Sequence, residues 1–247
     1  MWTELALFAA VGFAAQMVDG AIGMAYGLSA TSILLSVGVA PATASASVHA
    51  AEVFTTGASG LAHWRMGNAR PQLLWGLVVP GMIGGASGAY LLTAVPGEAI
   101  RPFINLYLLA MGAAILWRAR KKHKPRAEPP KYLGALGFAG GFLDAIGGGG
   151  WGPMVTSTLI GGGTAPRYAI GSVNLAEFFV TVTISAVFVS TVGLELWPVI
   201  AGLVLGGILA APLAAYATKR IPARPMMIVV GVVIVLLSLR GLARGFA

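Results

Sequence analysis

The stretch GFAAQMVDGAIGMAYGLSATSILLSVGVAPATASASVHAAEVFTT, residues 12–56, returns without a gap 125 positions later as GFAGGFLDAIGGGGWGPMVTSTLIGGGTAPRYAIGSVNLAEFFVT, residues 137–181. Nineteen of the 45 aligned positions are identical, among them Asp19/Asp144, Gly23/Gly148, Gly27/Gly152, Thr31/Thr156, Ser32/Ser157, Pro41/Pro166, Ser47/Ser172 and Glu52/Glu177. In a very apolar chain, a repeat of this length is the mark of a secondary transporter built from two related halves. It also isolates the few polar residues embedded in hydrophobic stretches, and so points to a site.

Composition sets the environment. The 247 residues are 57% hydrophobic and only 10% charged, with a mean hydropathy of +0.84, whereas a soluble domain carries about 25% charged residues. Apolar segments of about twenty residues, the length of a membrane span, follow one another along nearly the whole chain. This predicts an all-α polytopic membrane protein with no separate soluble domain. The chain has no cysteine, which excludes disulfides, thiolate metal sites and cysteine nucleophiles. The start, MWTELALFAA, lacks the cationic region of a cleaved signal peptide and reads as part of the first helix. The net charge of +8 is concentrated in short loops, with seven of the sixteen positives between Arg118 and Lys131. That is the pattern of cytoplasmic membrane-flanking charge, not of a nucleic-acid binder.

Both halves parse into the same elements. The first repeat, residues 1–118, holds segments near 4–18, 28–39, 42–64, 72–94 and 101–118. The second, residues 132–247, holds segments near 132–143, 152–161, 166–191, 197–217 and 225–242. A basic linker, residues 119–131, joins them. Segment two is only about twelve residues, or about 18 Å of helix, against a hydrocarbon core of ~30 Å. Its glycine-dense entry favours a break, and broken backbone at membrane depth survives only inside protein or beside a cavity. Segments one and two therefore read as a re-entrant hairpin with the glycine run at its tip, followed by three crossings. An odd number of crossings inverts the second half relative to the first. With the linker cytoplasmic, only Arg101, Arg240 and Arg244 then face outward, so loop charge favours inverted over parallel repeats.

The glycine runs, Gly23 and Gly27 in one half and Gly147, Gly148, Gly149 and Gly152 in the other, precede short helices. The unpaired N–H groups and positive dipole of a helix N-terminus suit an anion, although small residues also serve plain helix packing. The hydroxyls of Thr31, Ser32, Thr156 and Ser157 can donate to anion oxygens or act as interhelical glue. Tyr26 and Trp151 form an aligned aromatic pair flanking the tips. Asp19 and Asp144 end the first segment of each half. They are read as caps of their own tips, with proton or cation coupling as the other reading. Glu52 and Glu177 each follow a polar residue at i–3, His49 or Asn174, on one helical face. These pairs can relay protons or simply hold hairpin to helix, and His49/Asn174 is the place where the halves differ in titratable chemistry. No metal site, cofactor or nucleophile–base pair is evident, so no enzyme is expected.

The elements VDGAIGMAYG, FLDAIGGGGWGP and GSVNLAEFF, with the central basic linker and the total length, resemble the sulfite exporter TauE/SafE family over essentially the whole chain. One departure is that half one has Gly20-Ala21-Ile22-Gly23 in place of an unbroken glycine run. The resemblance implies transport, usually export, of small sulfur-containing anions such as sulfite or organosulfonates across a bacterial cytoplasmic (inner) membrane. The alternative is a cation transporter, for metal or sodium, using the repeated carboxylates. The partners expected are a small anion and the lipid bilayer, not nucleic acid, with a homo-oligomer left open.

Overall fold

The computed structural model describes residues 2–22, 24–120, 132–194, 196–217 and 223–245. Gly23 and most of the linker lie outside them. The described residues are helical, with no strand. In the first half run α1 (Trp2–Ile22), α2 (Tyr26–Ser36), α3 (Pro41–Arg65), α4 (Pro71–Ala94) and α5 (Gly97–Arg118). In the second run α6 (Leu133–Gly147), a π-helical turn (Gly152–Thr156) leading into α7 (Ser157–Gly161), then α8 (Pro166–Thr191), α9 (Trp197–Ala217) and α10 (Ala223–Gly245). Proline at the first helical position starts α3, α4 and α8, where its missing N–H costs nothing. The second segment is interrupted differently in each half: α2 is one short helix, while its counterpart begins as a π-turn around Pro153.

Among the described residues, three helices are long and apolar enough to cross a membrane: Pro71–Ala94, Gly97–Arg118 and Arg167–Thr191. Helix α3 is as long at 25 residues but less apolar, because its serines, threonines, His49 and Glu52 face the protein interior. The outer surface carries large apolar side chains, as expected where lipid replaces water. Of the six tryptophans, Trp2, Trp64, Trp75, Trp117 and Trp197 are exposed near helix ends, the position of interfacial anchors. Trp151 alone is fully buried.

The halves interlock. Helix α1 of the first packs along α9 of the second, and α6 of the second packs along α4 of the first. Small residues make this close approach possible. A Cβ on Gly206 would overlap the Ala9 carbonyl oxygen, and one on Gly84 would overlap that of Phe138. The adjacent glycines turn the other way in the same manner: Gly85 lies on Val180 and Ile184 of α8, and Gly207 on Thr55 and Tyr26. Thr55 and Val180 are aligned positions of the repeat.

Matching helices run in opposite directions where they touch. Along α3 and α8, Gly57 meets Phe178, Gly60 meets Leu175 and Gly171 meets Asn68. Along α5 and α10, Asn105 lies beside Gly241 and Gly112 beside Gly231 and Val235. By contrast α6 runs parallel to α4, with Leu133 near Gly76 and Phe142 near Gly88. The cations separate accordingly. Arg70 and Arg167 both stack on the Tyr168 ring, 3.9 and 4.6 Å from its centroid, at one end. Arg101 reaches the Val39 carbonyl at the α2–α3 turn, 3.1 Å away, at the other.

Candidate functional site

The glycine turn that follows α6 lies against the first turns of α2. Gly148, Gly149 and Gly150 have φ of +64°, +141° and +142°, conformations that glycine takes without strain. At the position matching Gly150, the first half has Ala25, which takes φ +92°. This is the uncommon left-handed region for a residue with a Cβ. The positive φ values let the second tip fold flat against the first. Thr31 Oγ1 donates to the Gly148 carbonyl, and a Cβ on Gly27 would lie 2.7 Å from Gly149 Cα. Gly147 and Gly150 back onto Tyr107 of α5, whose hydroxyl donates to the Gly149 carbonyl at 3.4 Å. Gly27 and Thr31 of α2 are thus in direct contact with the glycine turn of the second half.

Each aspartate accepts from the N–H seven residues on, at the start of the second segment of its own half. Asp144 Oδ1 accepts the Trp151 N–H at 2.8 Å, and Asp19 accepts that of Tyr26. The Gly149 N–H also turns back, to the Asp144 carbonyl at 3.0 Å. Part of the tip's donor capacity is therefore occupied internally. The aligned aromatics are anchored alike: Tyr26 hydroxyl donates to Leu203 O at 3.0 Å, and Trp151 Nε1 to Val173 O at 3.2 Å.

Behind the tips lies a buried polar cluster. His49 Nε2 stands 3.3 Å from Asp144 Oδ2 and 4.0 Å from Glu52 Oε2. Glu52 accepts the Gly27 N–H, so it touches the first tip while His49 touches the second. Glu177 is buried and within electrostatic range of Asp19, Glu52 and Asp144. Asn174 is not brought to this cluster; it accepts from Ser59 at 3.0 Å and donates to Ile170 O at 3.1 Å. Thr156 and Ser157 are buried, the latter 4.0 Å from Met24 sulfur. Gly152 opens the π-turn. The Ser32 hydroxyl and Glu52 Oε2 are buried without a hydrogen-bond partner, as are the hydroxyls of Thr181 and Ser185 on α8. Buried polar atoms are normally satisfied, so these are places for a ligand or water to be received. Among the described residues, no three His, Asp or Glu side chains are arranged to hold a metal ion.

Three contributors are illegible in sequence: Ser45, which donates to Ala145 O at 2.6 Å; Tyr107; and Arg118, which donates to Pro153 O. Each is a common residue type on a long helix and lies far in sequence from its partner, so no spacing could mark it. A cavity of about 320 Å³ opens at the α5–α10 end, lined by Glu98, Arg101, Asn105 and Gly241. A second, of about 90 Å³, adds Arg240 and Ser36.

Most of the chain, from within α1 to within α10, is accounted for by one known family. Residues 8–241 match the family described as Sulfite exporter TauE/SafE. The chain belongs to that family. It is also 42% identical over 248 residues to the "Probable membrane transporter protein YtnM" of Bacillus subtilis (strain 168), covering 97% of this chain and 83% of that one. No solved structure matches. This TauE/SafE chain is accordingly an integral membrane transporter and not an enzyme.

Proposed function

We propose that the protein is a secondary exporter of small sulfur-containing anions, sulfite or organosulfonates, across the bacterial cytoplasmic membrane. The anion is held between the two glycine tips, and access alternates as the tips part. The observation that carries this reading is the meeting of both tips at Thr31 and Gly148. Parting them frees the Thr31 hydroxyl beside the unpartnered Ser32 hydroxyl, and exposes glycine backbone that an oxyanion can approach closely. The guanidinium groups of Arg101 and Arg240 at the cavities between α5 and α10 favour an anion over a cation at that mouth.

The halves are inverted repeats in this reading, supported by the antiparallel course of α3 against α8 and of α5 against α10. Met66 and Thr191 are aligned, exposed positions just after and at the ends of these helices. In the cysteine-free chain, Thr191→Cys should react with a membrane-impermeant maleimide on intact cells. Met66→Cys should react only after permeabilisation. Labelling of both from one side would leave the halves parallel.

Transport itself is tested by counterflow of radiolabelled sulfite and sulfoacetate in proteoliposomes. Saturable exchange is expected, unaffected by Ni²⁺ and independent of Na⁺. Movement of Ni²⁺ or Na⁺ with no movement of either anion would establish the cation alternative, for which four buried carboxyls are present.

A further inference from the structure

The hydrogen-bond inventory around His49 fixes more than its position. Its ring is fully buried. Nδ1 lies 2.8 Å from the Ser45 carbonyl and 3.2 Å from Ser45 Oγ. The carbonyl can only accept, and the single Ser45 hydroxyl proton is donated to Ala145 O. Nδ1 therefore faces acceptors only and must carry a hydrogen. That leaves Nε2 pointing at Asp144 Oδ2, 3.3 Å away, with Glu52 Oε2 beyond at 4.0 Å. Bare, the three would be lone pairs facing one another in a water-poor interior. The contact is bonding only with a proton in it, either on Nε2 as imidazolium or on a carboxyl donating to neutral imidazole.

We propose that His49, Asp144 and Glu52 form one proton-binding site that links half one to the tip of half two and couples a proton to transport. With the proton in place, Nε2–H···Oδ2 (or its reverse) ties α3 to the residue that caps the second tip, and the tips stay closed. When the tip parts and water enters, the proton leaves to that water. The lone pairs then repel, and the contact does not re-form until a proton is taken up again after access has switched to the other side. The matching position in the other half is Asn174, which cannot titrate and is turned to Ser59. The device is therefore single and asymmetric.

Facing the site are Glu177 from α8 and Asp19 from α1, both within electrostatic range of Glu52 or Asp144. Among the described residues, Tyr26 from α2 and Tyr107 from α5 are further titratable groups there, and the Phe188 ring is 6.1 Å from the His49 ring. Among the described residues, no lysine or arginine is paired with these carboxyls.

The inference rests on the proposed opening of the tips, but one arm of its test does not depend on the substrate. Protein labelled with [¹⁵N]histidine in nanodiscs is titrated by NMR, with His49→Asn, the residue the repeat itself uses, assigning the signal. A His49 ring with Nδ1–H at every pH and a second proton shared at Nε2 is expected. A ring with unprotonated Nδ1, or with no proton between Nε2 and the carboxyls at neutral pH, overturns the proposal. The second arm measures anion flux in proteoliposomes. His49→Asn and His49→Gln should lose at least tenfold of the accumulation driven by an imposed pH gradient, measured relative to the counterflow of the same variant. Undiminished accumulation in either folded variant overturns it. If the wild type moves no sulfur anion, the substrate assignment falls, while the NMR arm still decides the proton site.

Discussion

Replacing Gly149 by alanine should reduce anion counterflow on the order of 100-fold while leaving the protein inserted and monodisperse. The added Cβ would overlap the Gly27 carbonyl carbon and the Leu28 nitrogen, which are backbone and cannot swing aside. The residue would also have to hold φ near +141°. Overpacking costs about 1–3 kcal/mol and a left-handed or otherwise disfavoured φ a similar amount. A combined loss of roughly 3 kcal/mol corresponds to about two orders of magnitude in the population of the closed tips. The bundle around the tips is untouched, so the loss should appear in flux and not in yield. Gly38→Ala is the control. It too has a positive φ, +97°, but nothing lies within 4 Å of its Cβ and it sits in the α2–α3 turn. Counterflow near wild type for Gly149→Ala would remove the tips from the transport path.

Gly84→Leu and Gly206→Leu should each destabilise the fold strongly and to a similar extent. Both glycines sit where helices of opposite halves touch backbone to backbone, α4 on α6 and α9 on α1. In lipid there is no hydrophobic force to press helices together, so close van der Waals packing of small residues carries the association. A side chain there must push the helices apart. About 3 kcal/mol of overpacking amounts to roughly 10 °C in Tm for a chain of this size. Thermal unfolding in detergent, followed by tryptophan fluorescence, reads it. Gly134→Ala on the same α4–α6 contact is the control: its Cβ would meet only Pro80 Cγ, at 3.9 Å, and should shift Tm little. A wild-type Tm for either leucine variant would show that the halves do not depend on these contacts.

The sequence by itself was enough for the helical class and most element boundaries. Prolines at 41, 71 and 166 and the glycine runs punctuate an otherwise unbroken apolar pattern, and such punctuation is a local property of the backbone. Asp19, Asp144, Glu52 and Glu177 were also legible, because an ionisable residue in an apolar stretch stands out without any knowledge of its neighbours. The repeat further paired each with its counterpart. What lay out of reach was which helices and side chains of one half touch which of the other. That α1 lies on α9 and α6 on α4, that Thr31 meets Gly148, and that His49 reaches Asp144, 95 positions away, depend on which surfaces fit. The same holds for the contrast between His49 and Asn174. As letters they are two polar residues at one repeat position; only packing turns one toward a carboxylate and the other toward Ser59. Chain-local chemistry thus determined the parts and their duplication. Tertiary structure decided which of the duplicated parts face each other, because side-chain contact between distant segments is set by shape complementarity that no spacing along the chain records.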